Sequence, residues 1–251
     1  MLLVAVGAVV IVGVVDSFRS STSNDRPSTL SNATATVPPS PTATVQDVME
    51  LAEFDSLEPG TYFVDPDGDP STPLRVVYEV PVEGWSQFPG GVKFADYGHI
   101  GVSIVTVTNV VRHGCHDHRP ADPAVGPSVG DLATALADLA PFRVTSPPED
   151  VTIHGYSGKY LELTVPDLPV QGSGGDRFFP GCERKELMSW IAPLLYGGFR
   201  GYNSEAGRTE ELWILDVDGI RLVIAANWSP ASPRRDVAEM RTILDSIRIE
   251  P

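Results

Sequence analysis

The feature that most restricts the fold is Leu212-Trp-Ile-Leu-Asp-Val-Asp-Gly-Ile-Arg-Leu-Val-Ile-Ala225. Two apolar, β-branched runs flank Asp218-Gly219, a pair that tolerates the positive φ angles of a tight hairpin turn. Other strand signals surround it. Thr61-Tyr-Phe-Val64 and Leu74-Arg-Val-Val-Tyr-Glu-Val80 flank the turn-rich Asp65-Pro-Asp-Gly-Asp-Pro70, and Pro81 closes the second run. Val102 to Val111 is β-branched and alternating, which predicts one strand. Lys159-Tyr-Leu-Glu-Leu-Thr-Val165 alternates cleanly, with Tyr160 and Glu162 opposite Leu161, Leu163 and Val165.

Two helices interrupt the strands. Ser128-Val-Gly-Asp131 resembles a capping box ahead of Leu132, Leu136 and Leu139. Ser232-Pro233 predicts an N-cap and first-turn proline before Val237, Met240, Leu244 and Ile247. Ile247-Arg-Ile249 then reads as a short closing strand. The pattern predicts an α+β fold, a mainly antiparallel sheet flanked by a few helices.

The ending carries a resemblance. The hairpin, the capped helix and Asp245-Ser246-Ile247 leading into a last strand resemble the close of PsbP/Mog1-like domains. Residues 57 to 251 also resemble uncharacterised membrane-tethered exported proteins of actinobacterial type. The stretches concerned are Gly60-Thr-Tyr-Phe63, Gly126-Pro-Ser-Val129, Gly155-Tyr-Ser-Gly-Lys-Tyr160 and Leu212-Trp-Ile-Leu-Asp216. The resemblance implies a sheet covered by helices, a place in the cell envelope and a binding or accessory role. It supplies no catalytic residue.

Before this domain stand two segments of different character. Residues 1–18 open with Met1 to Val15, which carry no charged or hydrogen-bonding side chain, and predict a hydrophobic helix acting as membrane anchor or uncleaved signal. Residues 19–46 form a Ser/Thr/Pro-rich linker; between Ser17 and Thr44, 17 of 28 residues are Ser, Thr or Pro. Such a stretch buries too little apolar surface to offset its ordering entropy and is expected to be disordered. The expectation is a single-pass cell-membrane protein with residues 47–251 as its extracytoplasmic globular domain. Arg19 and Arg26 stand against that orientation, since basic residues favour the cytoplasmic side. The chain's formal net charge of −15 falls entirely on residues 47–251. That acidity excludes nucleic acid and an anionic lipid surface as partners.

Chemistry-bearing residues are few. His113-Gly-Cys-His-Asp-His118 holds three of the five histidines. If the preceding strand continued through it, His116 and His118 would share a face, a two-ligand beginning for zinc or copper with His113 nearby. Cys115 and Cys182 are the only thiols, and outside the membrane they are expected to pair. A paired Cys115 cannot be a thiolate ligand. Asp65 to Pro70 fails the calcium-loop pattern, because Pro70 stands where glycine is needed. Gly155-Tyr-Ser-Gly-Lys159 fails the nucleophile elbow, because Lys159 replaces its last glycine, so Gly155 and Gly158 are expected to shape a turn. Asn32 and Asn227 open glycosylation sequons. Trp213 is expected in the core. Residues 172–208, rich in glycine and aromatics and without clean periodicity, are where a binding surface is expected, through Phe178, Phe179, Trp190, Tyr196, Phe199 and Tyr202.

The functional expectation is a non-catalytic domain binding an unknown protein partner or small ligand, with no cofactor. The alternative is a metal-dependent hydrolase or metal-handling protein using the histidine cluster.

Overall fold

The computed structural model describes residues 45–69, 71–95, 98–173, 177–192, 199–203 and 205–250, the backbone alone for 199–203. The apolar run 1–18 and linker residues 19–44 lie outside the described residues. Among the described residues no helix is long and apolar enough to cross a membrane.

The strands in chain order are β1 (Gln46–Asp47), β2 (Ser56–Leu57), β3 (Gly60–Val64), β4 (Arg75–Val80), β5 (Trp85–Ser86), β6 (Val92–Ala95), β7 (Gly98–Thr106), β8 (Asn109–His113) and β9 (Asp117–Pro120). Helix α1 (Val129–Ala137) precedes β10 (Arg143–Ile153), β11 (Tyr156–Thr164), β12 (Leu187–Ala192), β13 (Phe199–Asn203), β14 (Thr209–Val217) and β15 (Ile220–Trp228). Helix α2 (Arg234–Ser246) and β16 (Arg248–Glu250) close the chain. The result is mainly antiparallel β-sheet with two helices. Gln46, assigned to the linker by composition, instead pairs in parallel with Tyr62.

The central sheet has eight strands in the order β10-β11-β14-β15-β7-β6-β5-β2, every pair antiparallel. Period-2 alternation sends its side chains into two separate cores. Leu212, Ile214, Val223, Ala225, Leu161 and Leu163 pack with α1 and with the sheet β13-β12-β8-β9. Leu215, Val217, Leu222, Ile224, Ile100 and Ile104 pack on the other face, with α2 and the sheet β1-β3-β4-β16.

Local chemistry explains the boundaries. Asp218 and Gly219 adopt φ of 51° and 85°, and Asp216 Oδ1 accepts the Gly219 N–H at 2.8 Å, as the hairpin requires. The capping box of α1 forms: Ser128 Oγ accepts the Asp131 N–H and Asp131 Oδ2 accepts the Ser128 N–H, both at 3.1 Å. Helix α2 starts one residue later than expected, with Pro233 at the cap, because the Ser232 hydroxyl is taken by the Ser229 N–H at 3.1 Å. Ser246 ties the end of α2 to the sheet. Its Oγ accepts the Glu79 N–H at 2.8 Å and donates to Ile243 O at 2.7 Å.

The strand expected over Val102 to Val111 is two strands in two different sheets. It breaks at Val107-Thr108, where the Arg221 guanidinium donates to Val107 O at 2.9 Å and Thr108 O at 3.0 Å. The same group reaches Gly126 O at 2.6 Å, so one side chain satisfies the carbonyls of the break and of the loop before α1.

Gly155 and Gly158 do different jobs. Gly155 has φ of 88° in the turn after His154, with nothing within 4 Å of where a Cβ would stand. Gly158 lies inside β11, buried against β14, where a Cβ would meet Ile214 O at 2.2 Å. Gly158→Ala is therefore expected to destabilise by about 3 kcal/mol through overpacking. Gly155→Ala costs about 1 kcal/mol of backbone strain alone. Urea unfolding of the two variants measures the difference, and equal losses would refute the close approach at Gly158.

Candidate functional site

The histidine cluster is a turn, not the continuation of a strand. His113 ends β8, and the chain reverses through Gly114, Cys115 and His116 into β9. The reversal happens because His113 Nδ1 accepts the Cys115 and His116 N–H groups at 3.0 and 3.1 Å. The His113 and His116 rings stack at 4.8 Å, and burial, then the neighbouring His116, holds His113 below the usual imidazole range. His118 is turned inward, 3% exposed, with Nε2 against Gly114 O at 2.9 Å. His116 and His118 therefore do not form the exposed pair that a continuing strand would give. Among the described residues no three His, Cys, Asp or Glu side chains converge for a metal ion. Cys115 is bonded to Cys182, which removes its thiolate from any ligand set.

The aromatic surface expected over 172–208 is largely interior. Phe179 and Trp190 are each 1% exposed and belong to the core shared with α1. Trp190 donates its indole N–H to Glu210 Oε1 at 2.9 Å. Phe178 is half-buried, with Lys185 Nζ 4.7 Å above its ring. Phe199 and Tyr202 lie on β13, whose side chains are not described, and Tyr196 lies outside the described residues. Sequon residue Asn227 is held in β15, its Oδ1 bonded by Arg208, and Asn32 lies outside the described residues.

The loop after β3 is a chain of Asx turns. Asp65 Oδ1 accepts from Gly68 N, Asp67 Oδ1 from Asp69 N and Asp69 Oδ1 from Ser71 N. Burial first, then the adjacent Asp67 carboxylate, pushes Asp65 up to about 6. A carboxyl whose folded pKa exceeds its unfolded value opposes folding once ionised, so stability falls as pH rises from about 3.8 to about 6. Asp67→Asn is expected to flatten that slope and raise stability at pH 7 by less than ~1 kcal/mol, given solvent screening. Thermal melts across pH 3.5–7.5 check the sign; a slope unchanged in the variant would refute the pairing.

A pocket opens where sequence reasoning did not point, on the sheet face beside α2. Trp213, expected in the core, is only half-buried and forms its floor. Ile153, Leu244 and Ile247 give apolar walls, and Arg241, Asp245 and His154 the polar rim, around about 200 Å³. Beyond Trp213 the floor continues in Tyr160, whose ring lies 5.3 Å away at 45°. Tyr160 donates to Glu211 Oε1 at 3.3 Å, and Glu211 also accepts from Arg241 Nη1. The Arg241 guanidinium in turn sits 4.9 Å over the Trp228 ring. Burial first, then Glu211 and Glu162, pushes the Tyr160 phenol up to about 12. The Glu211 hydrogen bond holds Arg241 above its ordinary value, so both stay protonated and fixed.

The sequence signal was there in part. Tyr160 and Glu162 occupy the polar face of the cleanest alternation, and Arg241 and Asp245 are one helical turn apart. Which elements lie beside one another was the missing step.

The fold is of α+β type, mainly antiparallel sheet with two helices, and it carries an aromatic groove between α2 and the central sheet. No family model, curated protein or solved structure matches the chain.

Proposed function

We propose that this is a membrane-tethered, extracytoplasmic binding domain of PsbP/Mog1-like type, and that it binds its ligand in the groove between α2 and the central sheet. The observation that carries the reading is the preformed pocket over Trp213, with Arg241 already locked by Glu211 and Trp228. Small, largely apolar concavities with a few fixed polar groups are where ligands are held. Fixing those groups beforehand reduces the ordering cost of binding. The Cys115–Cys182 bond supports an oxidising location. The apolar run and Ser/Thr/Pro linker supply the tether. The hairpin, α2 and β16 in succession support the fold type.

The test is photo-crosslinking in intact cells from the full chain carrying a benzophenone side chain at Asp245, compared with one at Phe178 and one at Asp67. Discrete adducts from position 245, lost when Trp213→Ala is added, are expected. Adducts from Phe178 alone, or equally from all three positions, would overturn the groove as the site.

A further inference from the structure

The groove is more acidic than its own cation can balance. Directly opposed residues of an antiparallel sheet share a face, so Glu149, Tyr160, Trp213 and Ile224 form one row and Glu162 and Glu211 the next. Val151 and Ile153, two and four residues beyond Glu149, pack into the core on that same side, which fixes the direction of Glu149. Arg241 is taken by Glu211. Glu149, Glu162 and Asp245 form no ion pair among the described residues. Asp245 feels the same Arg241, and Glu162 Oε1 accepts the Thr145 hydroxyl, so four carboxylates share one guanidinium beside two half-exposed aromatic faces and an apolar pit.

We infer, on the reading of the groove given above, that its occupant is a basic peptide segment of a protein partner. One aliphatic or aromatic side chain of that segment enters the pit over Trp213, and flanking Lys or Arg residues meet the carboxylates. Three observations select this chemistry. The pit, about 200 Å³, is smaller than the ~300–1,000 Å³ of sites that enclose a drug-sized ligand, and suits a single anchoring side chain. The faces of Tyr160 and Trp213 attract cations through their quadrupoles, as the carboxylates do through charge. The −15 net charge of the chain steers a basic partner inward and repels an acidic one. The peptide lies in the groove and does not add a strand, because the neighbouring edge strand β10 is interrupted by Pro147-Pro148 and by two register shifts.

The test uses the full chain and three labelled heptapeptides alternating lysine with leucine, lysine with serine, and glutamate with leucine. Binding is read by anisotropy and by amide and indole NMR shifts. The lysine–leucine peptide is expected to bind and to shift Ile153, Tyr160, Trp213 and Asp245. Affinity should fall about tenfold for Trp213→Ala and for the triple Glu149→Gln/Glu162→Gln/Asp245→Asn. The triple Asp65→Asn/Asp67→Asn/Asp69→Asn removes the same number of carboxylates from a loop that does not line the groove, and should leave affinity within about twofold, because charges beyond a Debye length are screened. The Gln/Asn groove triple alters two exposed groups and one half-buried group whose amide can still accept from Thr145, so it keeps the test intact if Trp213→Ala does not fold. Equal losses in the two triples would reduce the effect to general attraction for an acidic chain and overturn the proposal. Equal binding of the lysine–leucine and lysine–serine peptides would overturn the anchor pocket. Groove shifts produced only by the glutamate–leucine peptide would keep the groove and overturn the basic ligand. Shifts from every peptide confined to other residues would overturn the groove itself.

Discussion

Replacing Arg208 by methionine is expected to remove about 3–5 kcal/mol of folding free energy, the range seen when one partner of a buried charge pair is deleted. Against a total of roughly 5–15 kcal/mol this approaches loss of the fold. Arg208 is fully buried. It donates to His99 O at 2.9 Å and to Asn227 Oδ1, and stands 3.8 Å from Glu205 Oε1. Methionine fills most of the volume but leaves the Glu205 carboxylate buried without its cation. Glu205 is itself buried. It lies against Gly98, whose φ is 118° and where a Cβ would fall 1.5 Å from Glu205 Oε1. Adding Glu205→Gln to Arg208→Met should restore part of the loss, since an amide is cheaper to bury than a carboxylate. Urea unfolding decides: a single variant within about 1 kcal/mol of the parent would refute the pairing.

The same substitution has a pH signature. Burial first, then Arg208, pushes His99 down to about 2. The unfolded chain takes up that proton near pH 6.5 and the folded chain does not, so stability declines as pH falls below about 6.5. Removing Arg208 takes away the electrostatic part of the shift, so the acid decline should level off at a higher pH than in the parent.

What the sequence disclosed of the fold was whatever a short window encodes. The Asp218-Gly219 turn, the Ser128 capping box and the alternation of β11 all follow from backbone rules acting over a few residues. The break of the 102–111 run was invisible because its cause, Arg221, lies more than a hundred residues further along the chain. The start of α2 shows a middle case. Its helical periodicity was plain, but the Ser232 hydroxyl serves Ser229, and only the folded loop decides that competition.

The site was harder to read than the fold. Aromatic density between 172 and 208 suggested a surface, yet Phe179 and Trp190 fill the space under α1. The residues that do face an open groove come from β10, β11, β14 and α2, and each looks ordinary alone. Trp213 sits in a run of apolar residues, so composition predicts burial. It stays half-exposed because α2 lies toward β7 and β4 and leaves the β10–β11 end of the sheet uncovered. A helix position, set by packing across the whole domain, made the site.

Removing the disulfide with Cys115→Ala/Cys182→Ala is the second large effect expected. Closing a loop across 67 positions stabilises by about 4 kcal/mol in the chain-entropy account. For a domain of this size that corresponds to a fall of roughly 10 °C in Tm. The bond also fastens a junction that hydrogen bonds tie as well. Glu183 N–H donates to Cys115 O at 2.7 Å, Glu183 Oε2 accepts the His118 N–H at 3.0 Å, and Met188 N–H donates to Gly114 O at 2.8 Å. Those bonds hold the β8–β9 turn against the segment entering β12, and they depend on the two segments staying together. Scanning calorimetry with and without reductant measures the effect, and an unchanged Tm would mean that packing alone holds the junction. The consequence reaches to location. A domain that draws about 4 kcal/mol from an oxidised pair is least stable where thiols are kept reduced, and most stable in an oxidising compartment. Chain isolated from its source should then be lighter by the two hydrogens that oxidation removes, and a fully reduced mass would point to a reducing compartment.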